Sequence, residues 1–585
     1  MKERKDKEDI FGIIFRMFGF VDRNKIPFFF CVIVGATMPL YESVLVGNTV
    51  SELTKACTDK DIIYLKKTIM IMFLMFLGYL LYTFCYAYVY TNFVKIGLNV
   101  KNILFRHVIK LPMTFFNSNT SGDISSRMIS DYNKAVELVG YPMFGQANPI
   151  SLLLSIIVVS VLVIRRNLLL GIVSISVSLV NMLLINVVSV KLQKHELQIK
   201  KVIASSTQKI IDLISGTMVA RIFHLEQIME NKYEDEIETI YQQIQTLNKK
   251  KSLISMLIDF QQFLSFTGVI GVGLVLQAKG IIVLADVMYI SSMQSFLATY
   301  VAQFSQKFSQ FQTYIAGAHR IFELLDSEEE MIREDQKQID QNQETAIEMS
   351  NISFSYPNQD KKIFEDFSMK IKRGEHIGIV GNSGEGKSTL LKLLLEYEVY
   401  GEGNTSFFGT NHMQCSQTKI RDLCTYVPQQ PYLYHASIKE NILLGHEGSD
   451  EEVWNVLQLA CLKDYVESLP DGIHTIVGEG GHGLSGGQKQ KISIARALFF
   501  NKPIILMDEA TSSLDVNAEQ EIQKAFDNLS KGRTCIVIAH RLSTIKNMDR
   551  ILVLKKGKIV EEGTNDELMK LGGTYAELYQ KQYSI

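Results

Sequence analysis

The chain has 585 residues, which is too many for one hydrophobic core and predicts at least two domains. Its formal net charge is −2, so no strong positive field indicates a nucleic-acid-binding protein. Its seven cysteines include no C-x-x-C pair, which argues against a zinc site or a disulfide scaffold.

The first half of the chain contains six long apolar stretches. A membrane-spanning helix needs about 20 mostly apolar residues, and each stretch is long enough. The stretches are 27–50, 63–92, 141–164, 168–190, 253–276 and 281–303. So many apolar stretches are difficult to bury in a soluble protein. Residues 1–326 are therefore predicted to form an all-α, six-helix transmembrane domain of a multi-domain membrane protein.

Two of the predicted helices continue well beyond the membrane. Residues 62–111 and the polar residues 191–251 contain no proline. A helix of about 50 residues would be roughly 75 Å long, against a hydrocarbon core of about 30 Å. Lysines and arginines in these connections and at the N-terminus predict that they are cytoplasmic. We expect a multi-pass plasma (cell inner) membrane protein with both termini cytoplasmic, although Arg165 and Arg166 then lie outside.

Polar side chains within the predicted spans indicate a substrate cavity. Ionisable groups are costly in a membrane and suggest function. The candidates are Glu42, Asp259, Gln262 and Gln303. Carboxylates and amides would suit a drug-like, cationic or peptide-like substrate. Alternatively, the glutamines only connect helices by hydrogen bonds.

The composition and the residue pattern of the sequence change after the sixth apolar stretch. Residues 327–346 are acidic, rich in glutamine and poor in apolar residues, which predicts a linker. Residues 347–585 alternate short β-type runs with helical patterns. This alternation predicts an α/β domain with a mostly parallel sheet.

A glycine-rich loop, GNSGEGKST, lies between the apolar run HIGIV and the helical run STLLKLLLEY. In this context the pattern predicts a phosphate-binding loop. Backbone N–H groups would contact phosphates, Lys387 would reach the β- and γ-phosphates, and Ser388 would ligate Mg²⁺. The predicted ATP-binding residues are Gly381, Asn382, Ser383, Gly384, Glu385, Gly386, Lys387, Ser388 and Thr389.

Two later segments complete the predicted nucleotide site. The run PIILMDEA places Asp508 at the end of a strand, near the metal, and Glu509 could polarise an attacking water. The run LSGGQKQKISIARAL places Ser485 and Gly487 at the start of a helix, where backbone donors suit a γ-phosphate.

These motifs resemble the nucleotide-binding domain of ATP-binding-cassette (ABC) transporters. GNSGEGKST matches the Walker A motif, LSGGQ the signature and IILMDE the Walker B motif with its catalytic glutamate. The resemblance implies that Glu509, His540 and Lys387 are catalytic, that Tyr356 stacks on adenine, and that Gln429 is the Q-loop glutamine. It further implies that ATP contacts Ser485, Gly487 and Gln488, and that Mg²⁺ is held by Ser388, Gln429 and Asp508. Residues 512–515 would form the D-loop, and residues 477–481 the X-loop.

The order of domains resembles the half-transporter of an ABC exporter. This implies a translocase that hydrolyses ATP, with Mg²⁺ as cofactor. It would move a small molecule or peptide across the bilayer by alternating access. It also implies a second half-transporter chain; a homodimer is the simplest assembly, and a heterodimer stays open. Residues 117–127 and 210–218 are the candidate coupling loops, with turns at Gly122 and Gly216. An importer with an exporter-type fold, such as a metallophore importer, and an ATP-gated non-transport protein are the alternatives.

Overall fold

The computed structural model describes residues 10–20, 25–139, 149–330, 333–356, 361–478, 483–508, 516–539 and 541–583. The chain divides into two compact units. We call the chain up to Lys110 together with Asn119–Ser327 the membrane unit, and Leu111–Ser118 together with Glu328–Ile585 the cassette unit. The second unit therefore includes a short segment of the first long connection between apolar stretches.

In the described residues the membrane unit contains helices and no strand. Its helices are α1 Ile10–Gly19, α2 Lys25–Asp59, α3 Ile62–Val108, α5 Ser121–Ser126, α6 Tyr132–Val139, α7 Pro149–Arg166, α8 Leu168–Ser215, α9 Thr217–Ile222, α10 Glu226–Ala278 and α11 Leu284–Leu325. Helix α4, Met113–Ser118, belongs to the cassette unit. A π-helical turn, Arg127–Asp131, separates α5 from α6.

Helices run through the described part of all six apolar stretches. Helices α2, α3, α7 and α10 have the length and hydropathy of a membrane span. In α8 the residues whose side chains the structure describes include the apolar segment Leu168–Val180. The start of the third stretch, 141–148, lies outside the described residues. The total of six crossings therefore stays a prediction.

Three helices are much longer than a membrane crossing requires. Helices α3, α8 and α10 contain 47, 48 and 53 residues. At 1.5 Å per residue each is roughly 70 Å or longer, so the helical extensions expected from the absence of proline are present.

The two glycines expected at turns behave differently. Gly216 ends α8 as predicted, with φ −81° and ψ 3°. The turn predicted at Gly122 is wrong, because Gly122 lies inside α5. The helix begins one residue earlier, since the Thr120 hydroxyl accepts a hydrogen bond from the Asp123 N–H at 3.2 Å and caps it.

Buried polar contacts connect the helices of the membrane unit. The Gln294 side chain on α11 is buried against Ser174 and Ser178 of α8, and its Nε2 donates to Ser178 Oγ at 3.1 Å. This glutamine connects two helices, as the alternative interpretation of the membrane glutamines expects.

The cassette unit contains two sheets. Its strands are β1 Thr345–Phe354, β2 Phe364–Lys372, β3 His376–Val380, β4 Glu402–Phe407, β5 Thr410–Asn411, β6 Cys424–Val427, β7 Ile504–Asp508, β8 Thr534–Ile538, β9 Arg550–Lys555 and β10 Lys558–Gly563. The larger sheet has the order β10-β9-β3-β8-β7-β6, parallel except for the β9–β10 hairpin, as predicted. The antiparallel sheet β2-β1-β4-β5 was not predicted.

The burial of each strand explains its position. Strands β7 and β8 are buried along their whole length, which is typical of central strands in a parallel sheet covered on both faces. Strand β2 alternates between buried and exposed residues and so has one solvent-facing side. The helices of this unit are α12 Lys387–Leu394, α13 Gln417–Leu423, α14 Ile438–Leu443, α15 Asp450–Leu459, α16 Lys463–Glu467, α17 Gly486–Phe500, α18 Val516–Ser530, α19 Asn565–Leu571 and α20 Thr574–Tyr583.

The predicted linker, 327–346, occupies the interval between α11 and β1. Its described residues 333–344 form neither helix nor strand. They are nevertheless attached to the cassette unit, since the Gln336 N–H donates to the Gln414 carbonyl at 3.0 Å and the Ser416 N–H donates to Asp335 at 2.8 Å. β1 begins at Thr345, so the last two residues of the predicted linker belong to this strand.

Candidate nucleotide and substrate sites

The predicted nucleotide-binding segments meet at one edge of the parallel sheet. Ile379 of β3 pairs with Ile538 of β8, which also pairs with Asp508 of β7. The carboxyl ends of these parallel strands therefore lie side by side. Ligands of open α/β sheets bind at such an edge.

The loop after β3 requires glycine for its conformation. Gly384 and Gly386 have φ of +83° and +97°, which other residues adopt only with strain. A Cβ on Gly386 would also lie 2.9 Å from the Ile363 side chain. The loop thus brings backbone close to the N-terminus of α12, an arrangement that fits a phosphate group.

Lys387 begins α12 and is almost fully buried. Its Nζ donates to the carbonyls of Gly381 at 2.7 Å and Asn382 at 2.9 Å. The ammonium group is therefore held within the phosphate-binding loop. Ser388, the next residue, is exposed at the same helix end.

The predicted adenine-stacking tyrosine lies beside this helix. The Tyr356 hydroxyl is 3.2 Å from the Thr389 hydroxyl, and its ring packs edge-on against Phe354 with centroids 5.1 Å apart. Lys392 Nζ is 6.0 Å from the ring centroid. Tyr356 is thus positioned next to the phosphate loop by α12, and Thr389 contributes to that position.

Asp508 ends β7 in poorly solvated surroundings. Asp508 is 9% exposed. On the neighbouring strand β6, the burial of Tyr426 and the negative charge of the Asp508 carboxylate together raise the pKa of Tyr426 to about 12. Gln429 follows β6, the strand that pairs with β7. The structure therefore brings Asp508 and Gln429 to the edge that carries the phosphate loop.

The two predicted catalytic residues that follow strands lie outside the described residues. Glu509 comes directly after Asp508, and His540 comes directly after Ala539, the residue that follows β8. The D-loop and X-loop residues 512–515 and 479–481 are also outside the described part. Their roles stay predictions.

The signature segment forms a helix N-terminus, as predicted. Ser485 caps α17: its Oγ accepts from the Gln488 N–H at 3.3 Å, and its own N–H donates to Gln488 Oε1 at 2.8 Å. This reciprocal pair is a capping box. The Gln488 side chain thus stabilises the helix start, and its ATP contact stays a prediction.

Sequence reasoning missed a set of polar residues that connect α17 to the Q-loop. Arg496 donates to the carbonyl of Asn441 at 2.6 Å and to that of Tyr432 at 2.7 Å. The buried Gln490 donates to the Pro428 carbonyl at 3.3 Å, next to Gln429. Burial lowers the pKa of Arg496. The position of this arginine in the apolar segment ISIARAL was the one feature of the sequence that could have indicated a buried, hydrogen-bonded side chain.

In the membrane unit, Glu42 lies where three helices converge. The Tyr79 side chain of α3 lies close to the Glu42 carboxylate of α2. The Tyr300 hydroxyl of α11 donates to the Pro39 carbonyl at 2.5 Å, one helical turn from Glu42. Gln303, also half-buried, lies on α11.

The remaining candidates for the substrate cavity lie on another helix. Asp259 is exposed and Gln262 is half-buried on α10, whereas Glu42 and Gln303 are on α2 and α11. Asp286 forms an ion pair with Arg166 at 3.0 Å. This partner offsets the cost of the arginine at a position where the charge-bias rule does not expect one.

Comparison with known proteins identifies relatives for both units. The family model described as the ABC transporter transmembrane region matches residues 26–352, and the model described as ABC transporter matches residues 364–512. The ATP-dependent lipid A-core flippase of Desulfotalea psychrophila is 32% identical over 592 residues, which cover 97% of this chain and 99% of the relative. The protein of the same name from Pseudomonas aeruginosa is 31% identical over 491 residues, covering 83% and 80%.

Two further matches are a protein that aligns over a shorter part of the chain and a solved structure. ABC transporter B family member 6 of Dictyostelium discoideum is 34% identical over 393 residues, covering 64% of this chain and 57% of that protein. The solved structure of a bacterial Atm1-family ABC exporter with ATP bound covers 95% of this chain and 97% of its own, with a TM-score of 0.70 and 23% identity. At this identity the likeness shows a shared fold.

Proposed function

Because the chain belongs to the ABC transporter family and is an ATPase coupled to export, with transmembrane and ATP-binding regions fused in one polypeptide, we propose that it translocates an amphipathic lipid across the plasma membrane. The observation that carries this proposal is the near full-length similarity to a protein named for flipping lipid A-core. The names of the relatives favour a lipid over the drug-like, cationic or peptide-like substrate expected from the polar residues.

The ATP site is assembled from the residues at the sheet edge. The backbone of Gly381–Gly386 and Lys387 hold the phosphates, and Tyr356 contacts the adenine. Glu509 orients the attacking water, and His540 contacts the γ-phosphate. Mg²⁺ would neutralise phosphate charge, held by Ser388, Asp508 and Gln429.

Two chains act together in this proposal. The signature helix α17 presents Ser485 and Gly487 at its N-terminus, where N–H groups bind a γ-phosphate held by the second chain. A homodimer supplies two such sites, and both termini lie in the cytoplasm.

In the membrane unit, Glu42 is the proposed contact for the polar head group. Its carboxylate and the Tyr79 hydroxyl can accept hydrogen bonds from hydroxyl or amine groups of a lipid. Gln303, on the same helix as Tyr300, adds an amide. The acidic and amide groups expected in the cavity thus keep their role with a different substrate.

The test is ATP hydrolysis and lipid flipping by the purified chain in proteoliposomes. We expect wild-type activity that increases with lipids carrying large polar head groups. Glu509→Gln should still bind ATP but hydrolyse it at least about 100-fold more slowly. The matched control, Glu451→Gln, changes an exposed acid on α15 and should behave as wild type.

Three results would contradict parts of the proposal. Stimulation by cationic drugs or peptides without lipid movement would favour the drug-like or peptide-like substrate class. Lipid or metallophore movement toward the ATP side would indicate an importer. Well-folded protein without ATPase activity would indicate a heterodimer that lacks its partner chain.

A further inference from the structure

The Walker A helix α12 ends in an unfavourable backbone conformation. Glu396, two residues after Leu394, has φ +54°. For a residue with a Cβ, this left-handed region costs about 1–2 kcal/mol. This conformation closes the helix end, since the Tyr397 N–H donates to the Lys392 carbonyl at 2.8 Å, and it fixes the direction in which the Glu396 side chain leaves the helix.

The side chain of Glu396 is held by the linker. One carboxylate oxygen forms an ion pair with Arg333, and the other lies 2.7 Å from His412 Nδ1. The side chains of Glu396 and Arg333 are only 10% and 16% exposed. Poor solvation is also visible at Tyr400, which contacts His412 and whose pKa burial raises to about 12. Removing one partner of an ion pair from such surroundings strongly lowers the stability of the folded protein.

Further contacts fix the linker on both sides of Arg333. Before it, Glu330 pairs with Arg421, with Oε2 to Nη1 at 3.0 Å. After it, Asp335 accepts from the Ser416 N–H at 2.8 Å, and this hydrogen bond lowers the pKa of Asp335. The linker therefore follows the cassette surface and does not hang free.

A second chain segment is attached two residues further on. Glu398 is 4% exposed, and its Oε1 accepts from Asn117 Nδ2 at 2.9 Å. Asn117 lies on α4, the part of the α3–α5 connection that belongs to the cassette unit. Two of the chain passages that lead from the membrane unit are thus attached to Glu396 and Glu398.

We propose that Glu396 and Glu398 are positioning residues that couple nucleotide binding in the phosphate loop to both passages, the linker and α4. Helix α12 has eight residues and is about 12 Å long, so it transmits movement of the loop at Lys387 to its other end as a rigid body. The inference rests on the proposed export function. It assigns to this pair an effect on coupling and none on ATP contact.

Hydrogen exchange with and without ATP tests this inference, because it needs no transport substrate. In the wild type, ATP should change amide exchange in residues 333–337 and in α4 together. Glu396→Gly removes the carboxylate, but glycine suits the left-handed backbone and offsets part of the cost of losing the buried ion pair. Its apparent melting temperature should therefore fall by less than that of Glu396→Gln, which keeps the Cβ. In this variant the exchange of residues 333–337 should be about fivefold faster or more, and should no longer respond to ATP.

Transport provides the second readout. Glu396→Gly and Asn117→Ala should each lower the lipid moved per ATP by about fivefold or more, with ATP affinity unchanged. In the double variant, the lipid moved per ATP should be no lower than in the stronger single variant, because both substitutions act at the end of α12. The control Glu467→Gln removes an exposed acid that pairs with Lys463 at 3.7 Å and should leave every readout unchanged.

The outcomes separate this inference from the export proposal. If Glu396→Gly keeps a wild-type exchange response to ATP, the coupling role is overturned whatever the substrate is. If the exchange response is lost, the coupling role is supported even where no lipid moves, and only the lipid proposal fails.

Discussion

The backbone at Gly386 makes the phosphate loop sensitive to a single methyl group. Gly386→Ala adds a Cβ at φ +97° that meets Ile363 at 2.9 Å and Phe364 at 3.0 Å. The loop has to shift, so we expect ATP affinity to fall about tenfold or more. Fluorescent-nucleotide titration of the purified chain measures this loss.

Gly374→Ala is a matched control for this substitution. Gly374 has φ +76°, but nothing lies within 4 Å of the position that its added Cβ would occupy. Both variants carry the conformational penalty of about 1–2 kcal/mol, and only Gly386→Ala also disturbs the loop. Equal ATP affinity in the two variants would contradict the role of Gly386 in the phosphate-binding loop.

At the residue scale, the sequence predicted the contacts that are local and missed those that are distant. Lys387 and Asp508 could be assigned because each adjoins a strand or helix that the sequence pattern indicates. Glu396 and Arg496 could not, since their partners Arg333 and Asn441 lie 63 and 55 positions away. Tertiary folding alone brings such pairs together.

At the element scale, the π-helical turn Arg127–Asp131 depends on a buried carboxylate. Asp131, with a side chain 6% exposed, accepts from Arg320 Nη2 at 2.6 Å and from Lys134 Nζ at 2.9 Å. Single π-helical turns often mark functional sites. The turn is therefore joined by an ion pair to α11, the helix that precedes the linker.

Asp131→Asn should destabilise the membrane unit. Removing one partner of a buried ion pair costs about 3–5 kcal/mol, but Arg320 is 49% exposed and can turn to water. We therefore expect a loss of about 1–2 kcal/mol, or roughly 2–8 °C in the apparent melting temperature in detergent. Asp123→Asn, which breaks the more exposed pair with Arg127, should shift it by less than about 2 °C. Equal shifts would contradict the buried role of Asp131.

The elements differ in how well the sequence predicts them. The long helices follow from the absence of proline, and the central strands β3, β7 and β8 follow from continuous apolar runs. The antiparallel sheet was missed because β1 pairs with β2 and β4 through several irregularities in register. Such pairings give no regular alternation in the sequence.

At the scale of the whole molecule, the orientation in the membrane depends on the loop between α2 and α3. Helix α2 ends at Asp59 and α3 begins at Ile62. If the basic connections are cytoplasmic, this loop lies outside the cell. Cys57 is exposed two residues before the end of α2 and therefore reports the side of the membrane.

We expect a membrane-impermeant maleimide to label Cys57 on intact cells. The other described thiols are poor competitors. Cys31 and Cys85 lie within predicted spans. In the cassette unit, burial raises the pKa of Cys424 and Cys535 to about 12 and also raises the pKa of Cys415 and Cys461, which suppresses the reactive thiolate. Cys57→Ser should abolish labelling of intact cells and leave only the slow reaction seen after permeabilisation. If wild-type labelling instead requires permeabilisation, the orientation is reversed, the cassette unit faces outward, and it has no access to cytoplasmic ATP. The same experiment thus tests a condition that every ATP-driven function of this chain requires.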